Sequence, residues 1–94
     1  MTQQQKERLA QLEAQLGPEL EQISHYIFTH AELGLQEYQS AAFLERYMEQ
    51  QGFSVEKGVC GLETAFLARW GSRGPCIALL AEYDALAGYG PENK

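Results

Sequence analysis

Two carboxylates, Glu82 and Asp84, carry the most readily legible chemistry in this sequence. They flank Tyr83 at i and i+2, directly after the apolar run Cys76-Ile77-Ala78-Leu79-Leu80-Ala81. Such a run, preceded by the turn-forming Gly71-Ser72-Arg73-Gly74-Pro75, predicts a strand buried on both faces. Side chains two apart on an extended segment point to the same side. The strand would therefore deliver both acids together as the chain leaves the sheet. Open α/β sheets place ligand and metal sites at the carboxyl ends of their strands. Carboxylates there hold hard or borderline cations, or orient a histidine that does. The structural alternative is that the same two acids cap a loop or a following helix.

The other groups with chemical potential are sparser. His25 and His30 are five residues apart, which on a helix sets them about 140° apart and not stacked on one face. One surface histidine and one packed at a helix end is the plain reading; a metal-ligand role is the alternative. Cys60 and Cys76 form no C-x-x-C pair. Cys76 opens the apolar run and reads as a small buried hydrophobe. Cys60 lies among glycines in a turn, and a disulfide between the two is not expected in a chain that reads as cytoplasmic.

The elements that would position these groups follow from periodicity. Residues 2–16 are rich in good helix formers, with Leu9, Leu12 and Leu16 on one face. Gly17-Pro18 interrupts the pattern, and Leu20, Ile23 and Ile27 continue the stripe. One bent helix or two abutting helices would both fit. Residues 31–35 read as a connection. A further helix is predicted over residues 36–51, with Ala41, Leu44 and Met48 on its apolar edge and Gly52 as its left-handed stop. The period then changes to two: residues 53–59 and 64–70 predict two antiparallel strands joined by a turn between Gly58 and Gly61. No repeat or linker divides the chain, so residues 1–94 read as part of one domain.

Composition sets the outer limits. The chain has 94 residues, is 45% hydrophobic and 21% charged, and carries a formal net charge of −6; this fits a globular protein rather than a disordered one. Its seven Lys and Arg are scattered, leaving no basic stripe for nucleic acid. No apolar run approaches the ~18–20 residues of a membrane span. The polar N-terminus has no signal-peptide pattern.

Three motifs occur in order: H-A-E-L-G-L-Q-E-Y from His30 to Tyr38, G-F-S-V-E-K-G-V-C-G-L-E-T-A-F from Gly52 to Phe66, and A-L-L-A-E-Y-D-A-L from Ala78 to Leu86. With them, the stretch from residue 23 to residue 90 resembles the start of the zinc aminoacylase and carboxypeptidase family. More narrowly, it resembles the amidohydrolase branch that includes aminobenzoyl-glutamate utilisation proteins and indole-acetyl-amino-acid hydrolases. The first motif resembles the family's H-P-E-L-G-x-x-E, with Ala31 in place of the proline.

The resemblance implies an α/β fold, the N-terminal part of a three-layer zinc-exopeptidase-like catalytic domain: helices, an antiparallel strand pair and a buried central strand, incomplete here. In the wider family the last motif carries His-x-Asp, in which the histidine binds metal and the aspartate braces it. Glu82 takes the histidine position and Asp84 the aspartate position. The amidohydrolase branch likewise has an acid in place of that histidine and draws its first ligands from a downstream His-x-Cys-Gly-His. By this likeness Asp84 braces a metal site without binding metal, and Glu82 stands beside it in a less defined role. No catalytic residue, metal ligand or cofactor-binding residue is then expected within residues 1–94. Zinc or another divalent metal and the glutamate base would belong to later segments. The reaction implied is hydrolysis of an amide next to an amino acid, in an N-acyl amino acid, a dipeptide or an aminobenzoyl-glutamate-like compound. The 94-residue chain would be inactive alone. A homodimer would form through a domain this sequence lacks. A different class of reading is a non-enzymatic α/β interaction module that pairs through its N-terminal helices.

Overall fold

The computed structural model describes residues 1–88. A 27-residue helix α1 (Gln3–Thr29) leads into helix α2 (Tyr38–Gln50), followed by strands β1 (Ser54–Lys57) and β2 (Phe66–Arg69). The architecture is thus mixed helix and two-stranded antiparallel sheet.

Helix α1 starts at a capping box. Thr2 Oγ1 accepts the Gln5 N–H at 3.1 Å, and Gln5 Oε1 accepts the Thr2 N–H at 2.8 Å. The alternative left open by Gly17-Pro18 resolves as one continuous helix with Pro18 inside it. Proline removes the N–H that would reach the Ala14 carbonyl; Ala14 and Pro18 are both exposed, so water can serve that oxygen instead. The stripe on α1 is largely uncovered, with Leu9 45% and Leu20 54% exposed.

Helix α2 ends where Gly52 adopts φ +94°, the left-handed conformation that stops a helix at little cost. Its backbone N–H bonds to the Glu49 carbonyl at 3.1 Å. The chain then forms the hairpin, with Val55 opposite Ala68 and Lys57 opposite Phe66. Between the strands, Val59–Gly61 makes a single 3-10 turn in which Cys60 takes φ 56°. The sheet packs on α2. Ala41 is the buried apolar residue of the described chain, and Phe43, Leu44, Met48, Val55 and Phe66 around it are half-buried. Helix α1 meets α2 through a Tyr26–Phe43 ring stack at 4.0 Å and the Tyr47 hydroxyl, which donates to Glu19 Oε2 at 2.6 Å.

The strand predicted over residues 76–81 is not formed. Ile77, Leu79 and Leu80 are 83%, 93% and 100% exposed, and the segment has no strand neighbour among the described residues. An apolar run can be a buried strand only where other strands supply its hydrogen bonds and a covering face, and β1 and β2 pair solely with each other. Cys76, expected to be buried, is exposed for the same reason; Cys60 is exposed in its turn, and both are free thiols. The surface left open is large. The chain exposes 7936 Å², against about 5,500 Å² for a compact protein of this mass. Its radius of gyration is 15.7 Å, against about 12 Å for a compact chain of this length.

Candidate functional site

The loop between α1 and α2 is organised by Glu32. Its Oε2 accepts the Gln39 N–H at 3.0 Å and its Oε1 the Ser40 N–H at 2.8 Å, so its carboxylate caps α2 from outside the helix. A helix N-terminus offers unpaired N–H groups and partial positive charge, and an anion there is doubly favoured. Burial pushes the Glu32 carboxyl up, but the Gln39 and Ser40 amides and nearby His30 outweigh it and hold the group below its ordinary value. The fully buried Ser40 hydroxyl pulls the same way, although its geometry falls short of a hydrogen bond.

Glu37, the residue before α2, accepts from Thr64 Oγ1 at 3.0 Å. Thr64 is buried at the entrance to β2, and its carbonyl accepts the Tyr83 hydroxyl. The Ala85 N–H donates to the Glu32 carbonyl at 2.7 Å, and Leu33 pairs with Ala85 in an isolated parallel bridge. The 82–85 segment is therefore fastened to the α1–α2 loop and the turn ahead of β2. Burial, together with the negative charges of Glu37, Glu45 and Glu32, raises the Tyr83 phenol above its ordinary value, so it remains a donor.

Glu82 and Asp84 are both exposed, with half-buried Tyr83 between them turned to Thr64. Both line a shallow, open depression of about 180 Å³ with Leu35, Glu37, Thr64 and Tyr83. Tyr83 and Asp84 also border a second depression, of about 310 Å³, lined by Ile27, Ala31 and Leu86. Asp84 Oδ2 comes close to Gly34: a β-carbon there would stand 3.6 Å from it. Next to Gly34, Leu35 takes φ 68°, a left-handed conformation that costs a side-chain-bearing residue about 1–2 kcal/mol.

The histidines lie elsewhere. His25 is exposed on α1. His30 ends that helix, stacked on the Tyr26 ring at 3.9 Å, with Nδ1 2.8 Å from the Tyr26 carbonyl. Among the described residues no three His, Cys, Asp or Glu side chains converge to hold a metal ion, so these residues do not fit the three or four donors a zinc centre needs. The arrangement here fixes and presents a carboxylate. Sequence reasoning singled out Glu82 and Asp84 but not the Glu32, Glu37, Thr64 and Tyr83 network that carries them. No spacing signal marks that network, because its members come together from separate stretches of the chain.

No protein-family model matches this chain, and no solved structure matches it. The chain is 44% identical over 66 residues to a subunit of p-aminobenzoyl-glutamate hydrolase from Escherichia coli (strain K12); the match covers 70% of this chain and 14% of that protein. The likeness relates the chain to an amidohydrolase in general terms, across a small part of that relative's length.

Proposed function

We propose that these residues form the N-terminal portion of the catalytic domain of a metal-dependent amidohydrolase. The bond cleaved is an amide next to an amino acid, as in an N-acyl amino acid, a dipeptide or an aminobenzoyl-glutamate-like compound. The observation that carries this reading is the 44% identity over 66 residues to a p-aminobenzoyl-glutamate hydrolase subunit. In this reading residues 1–94 belong to one domain without an internal boundary. Zinc or another divalent metal, and the general base, are supplied by residues outside those described. Asp84, with Glu82 beside it, lies at the rim of that centre. The relative is named as a subunit, and a protein partner, or a homodimer through a domain not in this chain, belongs to the same proposal. So does a cytoplasmic location. Among the described residues no helix is long and apolar enough to cross a membrane.

A chimera tests the proposal. The matched segment of the Escherichia coli hydrolase subunit is replaced by the corresponding residues of this chain, and release of p-aminobenzoate from p-aminobenzoyl-glutamate is followed. A soluble chimera that hydrolyses the amide is expected. A chimera that keeps the parent's circular dichroism and metal content but has no turnover overturns the reading. Calorimetric titration of the 94-residue chain with zinc gives a second check: tight stoichiometric uptake would place the ligands within this chain and contradict it.

A further inference from the structure

We infer that Tyr83 is a positioning residue: its hydroxyl, acting with the Glu32 carbonyl, latches the backbone on either side of Asp84 and so sets where that carboxylate stands. The inference goes beyond the amidohydrolase reading and depends on it only for what Asp84 then does.

The residue before Asp84 is held through its side chain, the Tyr83 hydroxyl donating to the Thr64 carbonyl. The residue after it is held through its backbone, the Ala85 N–H donating to the Glu32 carbonyl at 2.7 Å. Both anchors are themselves fixed at the start of α2. Thr64 is buried and donates to Glu37 at 3.0 Å, while the Glu32 carboxylate bonds two α2 amides. The approach to the segment offers no comparable support, since Leu79 and Leu80 are 93% and 100% exposed. Asp84 thus owes its place beside Gly34 to two contacts that converge on one helix end. The Tyr83 ring adds a separate, apolar contact with Phe66, at 6.5 Å between centroids. Removing the hydroxyl alone therefore isolates the latch from the packing.

Amide hydrogen exchange on the full chain reads the latch without any assay of activity. Tyr83→Phe keeps the ring and removes the donor. Exchange at the Ala85 amide is expected to accelerate about tenfold, the effect of losing one hydrogen bond's worth of local protection. Amides of α2, β1 and β2 keep their rates. Thr64→Val, which retains the accepting carbonyl but loses the bond to Glu37 that steadies it, is expected to raise the Ala85 rate by less than Tyr83→Phe does. An unchanged Ala85 rate in Tyr83→Phe overturns the inference. So does a parallel rise in α2, β1 and β2, which would make Tyr83 an ordinary packing residue. Both results leave the amidohydrolase reading standing, because it is judged on turnover by the chimera.

Discussion

Glu32 Oε1 accepts the backbone N–H of Ser40 at 2.8 Å, across eight positions of sequence. With the bond from Gln39 at 3.0 Å, this makes a loop carboxylate the cap of a helix it does not belong to.

Replacing that carboxylate should therefore cost what a helix cap is worth. Glu32→Ala is expected to lower unfolding stability by about 1 kcal/mol in urea at pH 7, and Glu32→Gln by about half as much. The pH dependence follows from the sign of the shift. The folded value lies below the ordinary 4.5, so the unfolded chain takes up the proton first as pH falls. The contribution is present above 4.5 and lost as pH drops through the lowered folded value. The gap between wild type and Glu32→Gln should close in that acid range. A gap that persists there would show that charge is not what the cap uses.

Glu45 presents the opposite case. It is 7% exposed, and burial pushes its carboxyl above 4.5, with Lys57 opposing and Glu49 adding to the shift. The folded chain holds this proton more tightly than the unfolded chain. Stability linked to Glu45 is thus full below pH 4.5 and declines as pH rises through the raised folded value. Glu45→Gln is expected to be more stable than wild type at pH 7 by roughly 0.5–1 kcal/mol, with the advantage gone near pH 4. Urea midpoints at the two pH values decide it.

These two glutamates also show what a sequence discloses and what it withholds. The helix over 36–51 and the strand pair were legible because α2 and the hairpin bury their apolar periodicity against each other, so local pattern and local environment agree. Only the ends moved, to Tyr38–Gln50, Ser54–Lys57 and Phe66–Arg69. The apolar run at 76–81 misled because burial depends on a partner, and periodicity records only the wish for one. Glu32 and Glu37 were invisible as site residues for a related reason. Their roles depend on Ser40, Thr64 and Ala85 arriving from three separate stretches, and nothing in the spacing of two acids marks that convergence. Pro18 left one bent helix or two abutting helices open because proline deletes a bond, and on an exposed face that deletion is tolerated within a single helix.

The open apolar segment should behave as a sticky surface and not as core. Ile77, Leu79 and Leu80 bury almost nothing, and exposed contiguous apolar groups promote self-association and dye binding. The chain is expected to bind a hydrophobic-patch dye and to sediment heavier than a monomer. Changing these three residues together to serine should cut dye fluorescence by more than about half and restore the monomer, while altering stability by less than about 0.5 kcal/mol. A loss of several kcal/mol would mean that the segment packs as a core strand after all.

The two carboxylates that flank Tyr83 are not equivalent, and the latch says which should matter more. Asp84 is held at both neighbours, by Tyr83 to Thr64 and by Ala85 to Glu32, and its Oδ2 lies against Gly34. Glu82 is held on one side only and is exposed beside the unsupported run. A carboxylate that braces a reaction centre acts through a fixed position, so the better-fixed acid should carry the larger effect. In the active chimera, Asp84→Asn is expected to lower turnover about 10–100-fold, the usual cost of losing such a brace, and Glu82→Gln by less than about threefold. Tyr83→Phe should fall between them, since it loosens Asp84 without removing its charge. If Glu82→Gln proves the more damaging change, the fixed position of Asp84 serves the fold alone, and the chemistry at this rim belongs to its neighbour.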